Sequence, residues 1–199
     1  MTPDQRKRFR ARANSAVRKL RKEEASGYIG DDGGNRYRVG VYLLLAGDLG
    51  KASEAFDWFD RTFADDTGEP IFFLYGTLTA YRRGEWTKAR LRFAQAMLSN
   101  IFLLPFLWKE RVDTTGMWFS SNWEEEGYLA AVREFLDEPT PKEREWITSE
   151  WNSAPFTALR EGYLATFRAL DKEPDYLRRS AILDRWMALK ARQFDKLER

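Results

Sequence analysis

Gly47-Asp48-Leu49-Gly50-Lys51-Ala52-Ser53-Glu54-Ala55-Phe56-Asp57-Trp58-Phe59 and Gly84-Glu85-Trp86-Thr87-Lys88-Ala89-Arg90-Leu91-Arg92-Phe93-Ala94-Gln95-Ala96 are one pattern written twice, 37 residues apart. Each copy opens on a glycine, which closes a preceding helix because the position after a helix end favours the left-handed backbone. An acidic residue, Asp48 or Glu85, follows at the positive end of the next helix. Leu49/Trp86, Ala52/Ala89, Phe56/Phe93 and Phe59/Ala96 then fall at steps of 3, 4 and 3, which places them on one helix face. Recurrence at this period predicts helical hairpins that bury their apolar faces by stacking. The fold class expected is all-α.

Working outward, the preceding helix of each copy spans Asn35–Ala46 and Pro70–Arg82, and both are apolar nearly all round. The repeats therefore cover about 35–64 and 70–100. The first copy resembles the tetratricopeptide repeat in Val39, Gly40, Leu43, the Gly47-Asp48-Leu49 turn, Ala52 and Phe56. The second copy departs from it at Gly76, Thr77 and Ile101, and both exceed that family's period of about 34 residues. A longer resemblance, from Gly30 to Leu136, is to a group of degenerate helical-repeat proteins. It rests on Gly30-Asp31-x-x-Gly34-x-Arg36-Tyr37, on Asn100-Ile-Phe-Leu-Leu-Pro-Phe-Leu107 and on Ser121-Asn-Trp-Glu-Glu-Glu126. Some members carry a cysteine-rich metal motif that this chain lacks, and the resemblance implies no catalytic activity.

In peptide-binding tetratricopeptide domains the first helices line a concave groove, where Lys, Arg and Asn clamp a terminal carboxylate. The matching positions here are Tyr37, Val41, Leu44, Leu74, Leu78 and Tyr81, which form no such clamp. Either this groove takes an apolar helix from a partner, or the C-terminal helices of the chain fill it.

The 199 residues contain neither cysteine nor histidine. That excludes disulfides, thiolate nucleophiles, imidazole bases and the usual zinc or haem ligands. No metal or cofactor is expected, and no catalytic residue is assigned. Asp31-Asp32-Gly33 reads as a turn, lacking both the spacing of a calcium loop and that of a phosphate-binding loop. The carboxylate clusters that an enzyme reading has to draw on are Asp31/Asp32 and Glu124/Glu125.

Net charge is +2 and unevenly placed, with +6 in residues 1–25 and −4 in the remainder. Phe9, Ala13, Ala16, Val17 and Leu20 recur at helical steps in that head, so residues 1–25 read as a basic amphipathic helix. It either caps the stack with a solvated face, or contacts nucleic acid through Arg6, Arg10, Arg12, Arg18 and Arg21, or meets an anionic membrane or acidic protein. Residues 26–199 read as a single helical-repeat domain, with 101–199 as a C-terminal helical extension.

Within that extension Ile101–Trp108 is dense and apolar, but Pro105 interrupts a helix there. Ser121-Asn-Trp-Glu124 predicts a capping box opening a helix to about Asp137. A short helix containing Trp146 and Trp151 follows, then helices over Ala154–Leu170 and Tyr176–Leu197. The last turns Leu177, Ile182, Leu183, Trp186, Leu189 and Phe194 inward. No apolar run is long enough to span a bilayer and no signal peptide is evident, so a cytoplasmic location is expected. The function expected is a non-catalytic protein-interaction or adaptor module, its partner another protein or a second copy. The alternative is nucleic-acid binding through the basic terminal helices.

Overall fold

The computed structural model describes residues 1–31, 33–66, 68–136 and 139–198. Helices are the only regular elements among them: α1 (Pro3–Ala25), α2 (Asn35–Leu45), α3 (Leu49–Thr62), α4 (Pro70–Arg82), α5 (Trp86–Ser99), α6 (Leu103–Trp108), α7 (Tyr128–Val132), α8 (Pro141–Trp151), α9 (Ala154–Lys172) and α10 (Tyr176–Leu197). The chain divides into two compact units, Met1–Glu85 and Trp86–Arg199. None of these helices is long and apolar enough to cross a membrane.

In the first unit α1 lies along α2, and α2 packs on α3 and α4. Thr2 starts α1 through a reciprocal capping box with Gln5, and Pro3 occupies the first turn where its missing N–H costs nothing. Phe9, Ala13, Ala16 and Leu20 bury the inner stripe of α1, with Val17 half-buried. Tyr37, Phe56, Phe59 and Phe72 form a ring cluster, with Phe59 and Phe72 centroids 4.3 Å apart. Gly40 lets α3 approach α2, because a Cβ there would stand 2.7 Å from the Phe56 ring.

Gly47 and Gly84 end α2 and α4 in the same way. Their φ angles are 81° and 74°. In each case the glycine N–H donates to the carbonyl three residues back, Leu44 or Tyr81. The N–H of the following residue, Asp48 or Glu85, donates to the carbonyl five residues back, Leu43 or Ala80. The equivalence stops at the acidic residues. Asp48 caps α3 by accepting from the Lys51 N–H, whereas Glu85 turns back to pair with Arg83. Ala52, Phe56 and Phe59 are buried as the spacing predicts, and so are Ala89, Phe93 and Ala96. Trp86, expected beside them, is 55% exposed in the opening turn of α5.

In the second unit α5 contacts α6, α9 and α10, and α9 packs along α10. Phe93 meets Phe156 at 4.9 Å and Trp146 at 5.9 Å. Trp118, in the segment before α7, is 38% exposed and lies parallel to Phe167 at 6.2 Å. Pro105 stops no helix, since α6 begins at Leu103 and the proline sits in its first turn.

The expected capping box at Ser121 does not form. Residues 121–127 are turns and α7 starts only at Tyr128, followed by a 3-10 turn over Arg133–Phe135. The cause is a stronger competitor. Asn100, fully buried, donates through Nδ2 to the Trp123 and Glu125 carbonyls at 2.6 and 3.1 Å, and accepts from the Phe102 N–H at 3.0 Å. Those carbonyls are therefore held in turns, and Glu124 accepts from the Ser120 N–H and hydroxyl. Asp137, where that helix was expected to end, lies outside the described residues. The box that does form joins Thr140 to Glu143 at the start of α8.

Candidate functional site

Asp31, one of the acidic residues on which a cation or catalytic site had to rest, is built into the framework. Its carboxylate accepts from the backbone N–H groups of Asn35 and Arg36, both at 2.6 Å, and from Asn35 Nδ2 at 2.9 Å. It thereby satisfies donors that the first turn of α2 leaves open, and places negative charge at that helix's positive end. Its own N–H donates to Glu23 of α1 at 2.9 Å, and its φ of 42° lies in the left-handed region, which aspartate tolerates better than most residues.

Around it the other residues of the Gly-Asp-x-x-Gly-x-Arg-Tyr motif close a latch. Arg36 reaches Asp66 at 3.0 Å and lies 3.9 Å from Asp31. The Tyr37 hydroxyl donates to Asp66 and accepts from Arg36 Nη2 at 2.8 Å. Asp66 also accepts from the Gly68 N–H. Burial first, and then the hydrogen bond to the Asp66 carboxylate, push the Tyr37 hydroxyl up to about 12. The latch ties the start of α2 to the loop before α4 through hydrogen bonds to charged groups. Asp32 lies outside the described residues.

Of the six groove positions, Val41, Leu74 and Leu78 are fully buried, and Tyr37 and Leu44 nearly so. Tyr81 is half-buried. These side chains hold the core, and in this structure they do not form an open surface.

The basic head separates into two kinds of residue. Arg12 is half-buried and stacks over Phe9 and Tyr42, and Arg10 donates to the Ala46 carbonyl at 3.3 Å. Arg6, Lys7, Arg8, Arg18, Lys19, Arg21 and Lys22 are exposed, and none forms an ion pair among the described residues. A hollow of about 620 Å³ lies between the start of α1 and the Ala46–Gly47 turn, lined by Arg6, Lys7 and Arg10.

In the second unit Glu124 is taken up by Ser120, and the acidic triple stands before α7 and not in its first turn. The surface the sequence missed is on α10. Trp186 and Leu197 are buried, and Ile182, Leu189 and Phe194 half-buried. Leu177 and Leu183, expected inward, are 76% and 40% exposed, and Tyr176 and Met187 are 81% and 57% exposed. The signal was present in the spacing: at 100° per residue Tyr176, Leu183 and Met187 centre on an arc about 70° from that of Trp186 and Leu197. Arg178, Arg185 and Arg192 recur every seven residues on the far side of the exposed face and form no ion pair among the described residues. Arg179 instead fastens the helix, donating to the Glu173 carbonyl at 3.1 Å and lying over the Trp118 ring.

Comparison of this chain with protein-family models, with curated proteins and with solved structures returns no match.

Proposed function

We propose that the chain is a non-catalytic protein-interaction module on a tetratricopeptide-like scaffold, with the outer face of α10 as its contact surface. The observation that carries this reading is the exposure of Tyr176, Leu177, Leu183 and Met187 along one well-formed helix. Large apolar side chains gathered on one exposed face mark contact sites more often than lone ones do. The scaffold part rests on the 37-residue recurrence and on the matching glycine closures of α2 and α4. The non-catalytic part rests on the absence of cysteine and histidine and on the use of Asp31 and Glu124 as backbone acceptors.

Affinity capture from a cell extract tests it, comparing the wild-type chain with Leu183→Asp/Met187→Asp. A protein retained by the first and lost from the second is expected. Identical capture by both defeats the assignment of the surface.

A second reading, nucleic-acid binding through the basic terminal helices, is favoured by Arg6, Arg18 and Arg21 of α1, which are exposed and form no ion pair among the described residues. Each phosphate neutralised releases counterions, so binding weakens steeply with salt. Substituting Arg6, Arg18 and Arg21 by glutamine should then flatten the salt dependence, and no retention of duplex or single strands at low salt ends this reading.

A further inference from the structure

The outer face of α1 is laid out in a way that selects one kind of anionic partner, and the selection rests on the reading of the basic helices as a nucleic-acid contact. Phe9, Ala13, Ala16 and Leu20 bury the inner stripe of this helix against α2. At 100° per residue Lys7, Arg8, Arg18, Arg21 and Lys22 lie within about 70° of the line opposite that stripe. All of them are exposed, and their side chains form no hydrogen bond or ion pair among the described residues. Arg6 and Arg10 lie off this face, beside the Ala46–Gly47 turn. The cations of the face are gathered at its ends. Lys7 and Arg8 stand about 15–22 Å from Arg18, Arg21 and Lys22 at a rise of about 1.5 Å per residue. Between them the same face carries the short exposed side chains Ala11, Asn14 and Ser15. We infer that α1 lays this face in the major groove of duplex DNA, its two cationic ends on the phosphates of opposite strands and Asn14 against a base edge.

Dimensions and chemistry agree on that occupant. A helix is about 10–12 Å across and the major groove of B-form DNA about 12 Å wide, so the cationic ends overhang the groove onto the backbones that bound it. An asparagine side chain makes two hydrogen bonds to the N6 and N7 of adenine, and the methyl group of Ala11 suits that of thymine. Other anionic partners fit less well. A single strand needs rings on which to stack its bases, and this face has none. The major groove of double-stranded RNA is too narrow for side chains to read. An anionic membrane takes up the apolar stripe of a basic helix, which α1 has already buried. An acidic protein binds through large anchors at the centre of its contact, where α1 offers alanine, asparagine and serine. Asp4 is the acid on this face, and it stands in the first turn, beyond Lys7, where it answers the helix dipole.

The experiment uses the full chain and a pool of DNA duplexes of random sequence, about two helical turns long, with single-stranded DNA, duplex RNA, polyglutamate and phosphatidylserine vesicles in parallel. Fluorescence anisotropy should show duplex DNA bound most tightly at low salt. The logarithm of its affinity should fall against the logarithm of salt with a slope of about −4.5, or about −0.9 for each phosphate met by Lys7, Arg8, Arg18, Arg21 and Lys22. Arg18→Gln/Lys22→Gln should make that slope shallower by about 2, and Lys7→Gln alone by about 1. Selection from the pool should enrich a site containing adenine, and Asn14→Ala should remove the enrichment while leaving the slope unchanged. Circular dichroism checks that these exposed substitutions keep the helix content. Enrichment that survives Asn14→Ala, or a slope untouched by Arg18→Gln/Lys22→Gln, overturns the placement of this face in the groove. Single strands or duplex RNA bound as tightly as duplex DNA, with the same dependence on Arg18 and Lys22, also overturn the groove but leave the nucleic-acid reading standing. Retention of vesicles or polyglutamate alone, or of nothing at low salt, ends both.

Discussion

Replacing Asp31 by alanine removes the acceptor on which the start of α2 depends, and the cost follows from its surroundings. The Arg36 N–H and the Asn35 N–H, each held at 2.6 Å, are left against a site only 5% exposed, and a stranded buried donor costs about 1–3 kcal/mol. Partial solvation of one donor brings the sum to about 3 kcal/mol. Urea denaturation followed by circular dichroism should show the midpoint falling by about 1–2 M with an unchanged slope. Asp31→Asn keeps one acceptor and the tolerance for a positive φ, and should lose only about 1 kcal/mol. Asp31→Gly should fall between the two, since it relieves the φ of 42° without restoring the acceptor. An alanine variant within about 0.5 kcal/mol of the wild type would refute the latch as a stabilising element.

Three further outcomes are expected. Gly47→Ala and Gly84→Ala should each destabilise by about 1–2 kcal/mol in thermal melts, because both positions hold a left-handed backbone; a clear loss at one and none at the other would break their equivalence. Asn100→Asp should be worse than Asn100→Ala, since the Nδ2 donor shared by the Trp123 and Glu125 carbonyls becomes an oxygen that repels them; equal stability of the two by urea titration would count against the buried donor. The Tyr37 hydroxyl titrates at about 12 in the folded chain against 10.0 when free, so its contribution to stability is complete below pH 10 and is lost as pH rises through 12. Difference absorbance between the wild type and Tyr37→Phe should therefore show the missing tyrosinate only in the upper part of that range, and a missing component near pH 10 would contradict the latch.

Where local chemistry alone decides, the sequence was sufficient. The bounds of α4 and α10 follow from Pro70 and Asp175 at their starts and from the glycine or charged residues past their ends. Two Ser/Thr-x-x-Glu patterns show the limit. Thr140 and Glu143 cap α8 with Pro141 already in helical φ, whereas Ser121 and Glu124 lose to Asn100, a competitor more than 20 residues away in the chain. The latch was illegible for the same reason, since Asp31 and Arg36 lie 5 residues apart but Asp66 is 30 residues beyond Arg36. On α10 the error was one of width. Residues from two arcs were read as one stripe, although their spacing sets Leu183 and Met187 apart from the buried Trp186, which meets Tyr163 of α9.

The border between the compact units, after Glu85, runs through the middle of the second copy of the repeated pattern. Phe72 of α4 finds its rings on α2 and α3, and Phe93 of α5 finds its own on α8 and α9. A fragment trimmed to residues 70–100 would thus strip both phenylalanines of these neighbours. The repeat written in the sequence and the grouping of these rings thus divide the chain at different places.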